Sequence, residues 1–344
     1  MREVIVRILE EAVWAPSGDN SQPWSFRIKD NSLDIYAHPE RDHAFLNVEG
    51  RGTYLAIGAL VENIIIAARE YGFNATITQT SAPIIQVAFA SRGARGESLY
   101  RAIRERHTHR GAYTSAEIPG PLITTLRAIG EEHTRVAITV EPSRIRAITD
   151  ATSLMEETAL RTKKIHRLFF ESLLWSHDDA KKGAPGLYIK TTELPPPVQI
   201  LFRVIRHWPI MRTLNILGFS RFAAKSNAVV YAKSTACIAV ILDRIEPQDF
   251  VNAGRCMQRA WLQLTNAGFA AQPLAGLLYL AEYLTRTRDP DIADGLKERI
   301  VAAQRVITNE FGCRENETIA MVLRAGRPQK PATARTSRMA PDFV

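Results

Sequence analysis

Apolar residues recur every three or four positions at the start of the chain: Val4, Ile5, Ile8, Leu9, Ala12 and Val13 predict an amphipathic helix over 2–14. Pro16 and the cluster Ser-Gly-Asp-Asn-Ser stop it. The period then shortens, and "WSFRI" and "SLDIYAH" read as strands around a "KDN" turn. From Tyr54 to Tyr71, "YLAIGALVENIIIAAREY" is apolar on almost every face, which predicts a helix buried on most sides and stopped by Gly72. "IIQVAFA" at 84–90 reads as a buried strand, and "SRGARGES" after it is the most linker-like stretch of the chain. A basic helix is expected in "ESLYRAIRERHTHRGAY", followed by helical patterns at 121–129, 143–175 and 197–217 and a strand at 235–243. A helix at 250–267 ends before Gly268, the turn "AAQPLAGL" follows, and a helix near 290–311 precedes the strand "TIAMVLRAG". Few strands among many helices predict an α+β fold, a mixed sheet flanked by helices.

One echo suggests an internal duplication. "IGALVENIIIAAREYGF", residues 57–73, aligns without gaps to "AGRCMQRAWLQLTNAGF", residues 253–269, so that Gly58 falls on Gly254, Gly72 on Gly268 and Phe73 on Phe269. Two pseudo-repeated modules are therefore expected, 1–95 and 96–344.

Composition narrows the class. With 344 residues, 46% hydrophobic and 23% charged, the chain can bury a sizeable core. No apolar run approaches the roughly 18 uninterrupted residues of a bilayer span, so no integral membrane association is expected. The first helix carries Arg2, Glu3, Arg7, Glu10 and Glu11, unlike the charge-free core of a secretory signal. Cys237, Cys256 and Cys313 are odd in number and widely spaced, which suggests neither a disulfide framework nor a metal site and fits a cytoplasmic protein. The net charge of +8 is spread without a single-sign block, so no nucleic-acid partner is expected. The positive charge can instead serve a small anionic ligand.

Three stretches could hold such a ligand. In "APSGDNSQPWSF", the backbone N–H groups of a helix-to-strand turn join Ser17, Asn20, Ser21 and Gln22 in a surface able to read a flat polar heterocycle. In "RERHTHRGAY", Arg106, Thr108 and Arg110 alternate, so on an extended segment they face one way and can surround a phosphate with two guanidinium forks and a hydroxyl. The tail "LRAGRPQKPATARTSRMAP" offers Arg335 and Arg338 as further cations if it folds back. No nucleophile elbow, HExxH or Walker loop occurs.

Together these stretches resemble the FMN-dependent nitroreductase superfamily. "APSGDNSQPWSF" is similar to the family turn that approaches the flavin ring, "RHTHRGAY" to its RRSxRxF phosphate motif, "GFAAQPLAGL" to the segment lying along the isoalloxazine, and "RTSR" to the closing basic pair. The resemblance implies an FMN site made by Pro16, Ser17, Gly18, Asn20, Gln22, Arg106, Thr108, Arg110, Gln272, Pro273, Leu274, Gly276, Arg335 and Arg338. No side chain is expected as a nucleophile: the implied reaction passes hydride through flavin N5 from a reductant such as NAD(P)H to a nitroaromatic, quinone or similar small-molecule acceptor. The motif order departs from the single-module enzymes, because here the phosphate motif follows the turn by ninety residues. That order resembles the tandem subfamily, in which one chain imitates a dimer. It implies a monomeric pseudo-dimer or a homodimer, and an alternative function in which a lid over 177–220 sequesters flavin without turnover.

Overall fold

A computed structural model of the chain describes residues 1–42, 47–81 and 83–344. The first helix, α1 (Arg2–Ala12), lays Ile5, Ile8, Leu9 and Ala12 on the core, as its spacing requires. The hairpin β1 (Trp24–Lys29) and β2 (Ser32–Ala37) follows, then the long α2 (Arg51–Glu70), then β3 (Phe73–Ser81) and β4 (Ile84–Ser91). These strands form an antiparallel sheet in the order β1-β2-β4-β3. Sequence periodicity missed β3, whose alternation of Phe73, Ala75 and Ile77 is diluted by polar outward residues.

The second half opens with α3 (Tyr100–Glu105), much shorter than its basic pattern predicts. From Arg106 the backbone turns extended, Thr108 bridges to Ala271, and His109 N–H donates to the Ala271 carbonyl at 3.1 Å. Pairing with a distant strand thus overrides local helix preference. Next come α4 (Gly120–Arg127), β5 (Gly130–Glu131) and β6 (Thr134–Thr139), the last also unforeseen. The expected helix at 143–175 is three: α5 (Pro142–Thr152), α6 (Leu154–Arg161) and α7 (Lys163–Glu171). Its breaks fall at Ser153, whose hydroxyl donates back to the Asp150 carbonyl at 2.7 Å, and at Thr162, which is extended. Short hydroxyl side chains compete with the helix in this way.

A small parallel pair, β7 (Leu173–Leu174) and β8 (Leu187–Tyr188), flanks α8 (His177–Lys181). The stretch 197–217 is split into α9 (Pro196–Ile205) and α10 (Trp208–Ile216), and α11 (Phe219–Tyr231) extends this helical layer. The chain ends with β9 (Ala236–Leu242), α12 (Pro247–Asn266), β10 (Ala270–Pro273), α13 (Gly276–Arg286), α14 (Asp294–Glu310) and β11 (Thr318–Gly326). "AAQPLAGL" is therefore a strand leading into a helix rather than a simple turn.

The second sheet runs β10-β11-β9-β6-β5, all antiparallel. Without its edge pair partner β5, its strands in chain order stand first, second, fourth, third, the order of the first sheet. In each half the long helix joins the second strand to the third. Helices α2 and α12 cross at Gly58 and Gly254: a Cβ on Gly58 would lie 2.0 Å from the Val251 carbonyl oxygen, and one on Gly254 2.0 Å from that of Leu55. Polar contacts repeat with the same exchange. Arg259 donates to Glu62 at 2.6 Å and Gln258 to Asn63 at 2.8 Å. One hydrophobic core runs through both sheets and this helix pair. Residues 48–70, a stretch long and apolar enough to cross a bilayer, have 94% of their apolar window buried inside the protein.

Candidate functional site

After α1 the chain enters a tight turn in which Asp19, Asn20 and Gln22 adopt left-handed φ values of 43°, 58° and 49°. Such strain in non-glycine residues persists only where surroundings hold it. Here Ser17 Oγ accepts from Gln22 N–H at 3.0 Å, and segments far away in sequence hold the rest. Gly186 N–H donates to the Asp19 carbonyl at 2.6 Å. Asn20 Nδ2 donates to the carbonyls of Gly183 at 3.3 Å, Ala184 at 3.2 Å and Ser337 at 3.3 Å.

The basic loop and the tail meet this turn. Arg106, only 3% exposed, donates through Nη2 to the Trp14 carbonyl at 3.1 Å and stacks on Trp261 with 4.4 Å to the ring centre. Its Nε has no partner. Arg335 donates to the carbonyls of Arg104 and Arg106, and Arg338 to that of Thr336 at 3.2 Å. Both lie over Trp14, at 5.4 and 5.7 Å. The partners of these three guanidiniums are carbonyl oxygens and indole faces. Burial, reinforced by Arg338 and Arg335, pulls the Arg106 guanidinium well below its ordinary range. Burial and Arg335 bring Arg338 down to about 10. Burial also lowers Arg110, against the pull of Asp19, and its Nη1 donates to the Thr191 carbonyl at 3.1 Å. An anion among these groups would relieve both desolvation and mutual repulsion.

Two cavities adjoin here. The smaller, about 100 Å³, is lined by Asn20, Arg106, Thr108, Arg110, Arg335 and Arg338. The larger, about 510 Å³, has Gly18, Trp261, Pro273, Gly276 and Tyr279 in its wall. Pro16, Ser17, Asp19, Thr108, Arg110 and Gly186 border both. The volume lies in the range of small-molecule sites, roughly 300–1,000 Å³. The Trp261 indole N–H and the Ser21 hydroxyl are further buried groups without partners.

Most of the residues singled out from the sequence are thus brought together, but three are not. Gln22 borders neither cavity: its Nε2 donates to the carbonyls of Asn20 and Gly183, and its Oε1 accepts from Met339 N–H at 2.8 Å. Gln272 and Leu274 alternate with Pro273 along β10 and so face away from it. Gln272 accepts from Arg324 Nε at 2.7 Å in a buried polar network, and Leu274 belongs to the neighbouring core. Asn20 lines the small cavity, yet its amide nitrogen is occupied by the carbonyls of Gly183, Ala184 and Ser337.

Sequence reasoning also missed Trp14, which carries Arg104, Arg335 and Arg338 on its ring at 4.9 to 5.7 Å. An aromatic residue two positions before Pro16 was the available signal. Gly183 and the tail approach closely: a Cβ on Gly183, whose φ is +77°, would lie 2.4 Å from the Arg338 carbonyl carbon. Among the described residues no group of three His, Cys, Asp or Glu could hold a metal. Burial pushes the thiols of Cys237 and Cys256 up to about 12, as expected of packing cysteines.

No protein-family model matches the chain. It is 22% identical over 281 residues to an uncharacterized protein of Mycobacterium tuberculosis, covering 80% of this chain and 39% of that protein. It is 28% identical over 133 residues to another M. tuberculosis protein, named "Putative NAD(P)H nitroreductase", covering 37% of this chain and 39% of that protein. The alignments thus span about two-fifths of the length of these relatives. Similar solved structures include an FMN-bound nitroreductase from Bacteroides fragilis, 10% identical with a TM-score of 0.37, covering 70% of this chain and 94% of that one. Another is an FMN-bound nitroreductase from Desulfitobacterium hafniense, 12% identical with a TM-score of 0.37 and the same coverage.

Proposed function

We propose that this nitroreductase-like chain binds one FMN, phosphate among the buried arginines and ring in the adjoining cavity, and acts as an FMN-dependent oxidoreductase on small molecules. The observation that carries this reading is the convergence of Arg106, Arg335 and Arg338, stacked on Trp14 and Trp261, around a small cavity that shares its wall with one of about 510 Å³. Arg106 Nε, buried and without a partner, fits a phosphate oxygen. Arg110 and Thr108, on the border of the two cavities, add a second fork and a hydroxyl. Pro16, Ser17 and Gly18, with Pro273 and Gly276, supply ring-facing walls. Ser17 Oγ already accepts from Gln22 N–H, so its own proton is available to a ring acceptor. When bound, FMN supplies hydride transfer at N5, for which NAD(P)H is the reductant and a nitroaromatic, quinone or similar compound the acceptor. The name of the M. tuberculosis relative supports that choice of reductant.

The same reading treats 1–95 and 96–344 as two modules of one pseudo-dimer, with an inserted cover at about 176–225. Its support is the shared strand order and the glycine crossing with exchanged contacts. The free cysteines fit a reducing compartment such as the cytoplasm.

A second reading, a flavin-sequestering protein without turnover, is favoured by one observation: Asn20 and Gln22 are clasped to Gly183, Ala184 and Met339. Anaerobic addition of excess NADH or NADPH to the FMN-loaded protein separates the two. Rapid bleaching, with recolouring by a nitroaromatic, is the oxidoreductase result; a persistently yellow protein overturns it in favour of sequestration.

A further inference from the structure

Helices α6, α7, α9 and α11 enclose another cavity, of about 470 Å³. Its wall is almost wholly apolar, with Leu160, Leu168, Phe169, Leu201, Phe202 and Phe219. The polar exceptions are Glu156 on α6, Ser226 and Asn227 on α11, and Asp19. Tyr231 donates its hydroxyl to Glu156 Oε1 at 2.7 Å, while Oε2 is closed off from solvent and has no partner. The Arg324 charge acts on this carboxyl without a hydrogen bond to it: Arg324 sits between the rings of Tyr113 and Tyr231, at 4.7 and 4.6 Å, and donates to Gln272 and to the carbonyls of Arg110 and Gly111, its Nη1 having no partner. Burial raises the Glu156 carboxyl to about 7. A carboxyl oxygen left without a partner in apolar surroundings is costly, and a donor arriving with a ligand would remove that cost. Phe222, 68% exposed, stands in the wall and reaches solvent, so an apolar ligand has a route of entry.

We propose that this cavity binds an apolar small molecule ending in a hydrogen-bond donor, a hydroxyl or an amine, received by Glu156 Oε2. The site is separate from the arginine-lined cavities and does not depend on FMN. It shares one lining residue with those cavities, Asp19.

The test uses the full chain, titrated calorimetrically with decylamine, decanol and decanoate. Decylamine, decanol or both should bind saturably, one per chain, and decanoate at least about tenfold more weakly, the equivalent of about 1.4 kcal/mol. Which of the first two binds identifies the donor. Ala223→Trp, placed to fill the cavity, should weaken the favoured probe about tenfold or more while the circular dichroism spectrum is retained; Leu201→Trp serves if that variant does not fold. Glu156→Gln should erase the preference against decanoate, which a merely structural glutamate would not do. No saturable binding overturns the proposal. So does equal binding of all three probes that the tryptophan variants leave unchanged, since that is partition onto exposed apolar surface. Selectivity that survives Glu156→Gln overturns the role of Glu156.

Discussion

Arg106 owes its place to the Trp261 indole and the Trp14 backbone carbonyl rather than to an acidic partner. Such a guanidinium gains most when an anion arrives, so Arg106→Ala should purify with flavin content reduced at least about tenfold, and Arg106→Lys, which keeps the charge but loses the fork, should fall between it and the parent. Flavin absorbance relative to protein measures this; full occupancy in Arg106→Ala would remove Arg106 from the phosphate site. Away from the site, Arg135 donates to both oxygens of Glu317 at 2.8 and 2.7 Å, holding that carboxyl at about 2 instead of 4.5. The folded-state value is depressed, so the stabilisation is present above the ordinary value and is lost as pH falls towards 2. Arg135→Ala should therefore be less stable by about 1 kcal/mol at neutral pH, with the gap closing in acid. Denaturant melts at several pH values check it, and a gap independent of pH refutes the assignment. Arg106, Thr108 and Arg110 were legible in the sequence because alternation needs only an extended strand. The phase of β10 was not, since it depends on which side of Pro273 faces the neighbouring core. The fates of Asn20 and Gln22 were also hidden, because their partners lie more than 160 residues away.

The two long helices were readable as elements because each carries an apolar pattern and a glycine stop; that they touch at Gly58 and Gly254 was not, since helix spacing says nothing about partners. Gly58→Ala forces a methyl onto the Val251 carbonyl and should destabilise the fold by about 2–3 kcal/mol. Gly295→Ala, on α14 with nothing within 4 Å of the added Cβ, should be neutral or stabilising by up to about 1 kcal/mol. Thermal melts compare them, and equal stabilities would deny the tight crossing. The proposed cover makes a kinetic prediction. Gly183→Val combines an unfavourable φ with collision against Arg338, so it should loosen the clasp and speed anaerobic bleaching of bound FMN by NAD(P)H several-fold. An unchanged rate would mean that the cover does not gate access. The breaks at Ser153 and Thr162 explain why one long predicted helix became three, of which α6 and α7 line the apolar cavity with α9 and α11.

At the scale of the molecule, the two sheets share a strand order and one core passes through both. The helix crossing that relates them is satisfied within one chain, so we expect a monomer in solution; light scattering reporting a stable dimer would contradict that expectation. The likeness between the two long helices was visible in the sequence at the two glycines that permit their close approach. Elsewhere the halves diverge, and the arginines gather in the second while the polar turn stays in the first. One site should therefore form per chain, at their junction. The most direct measurement is the absorption spectrum and flavin-to-protein ratio of the purified chain after equilibration with FMN. The account predicts a yellow protein with one FMN per chain, and a colourless one when Arg106 and Arg338 are both replaced by alanine. A parent chain that takes up no FMN, or a doubly substituted one that keeps it in full, would contradict the account.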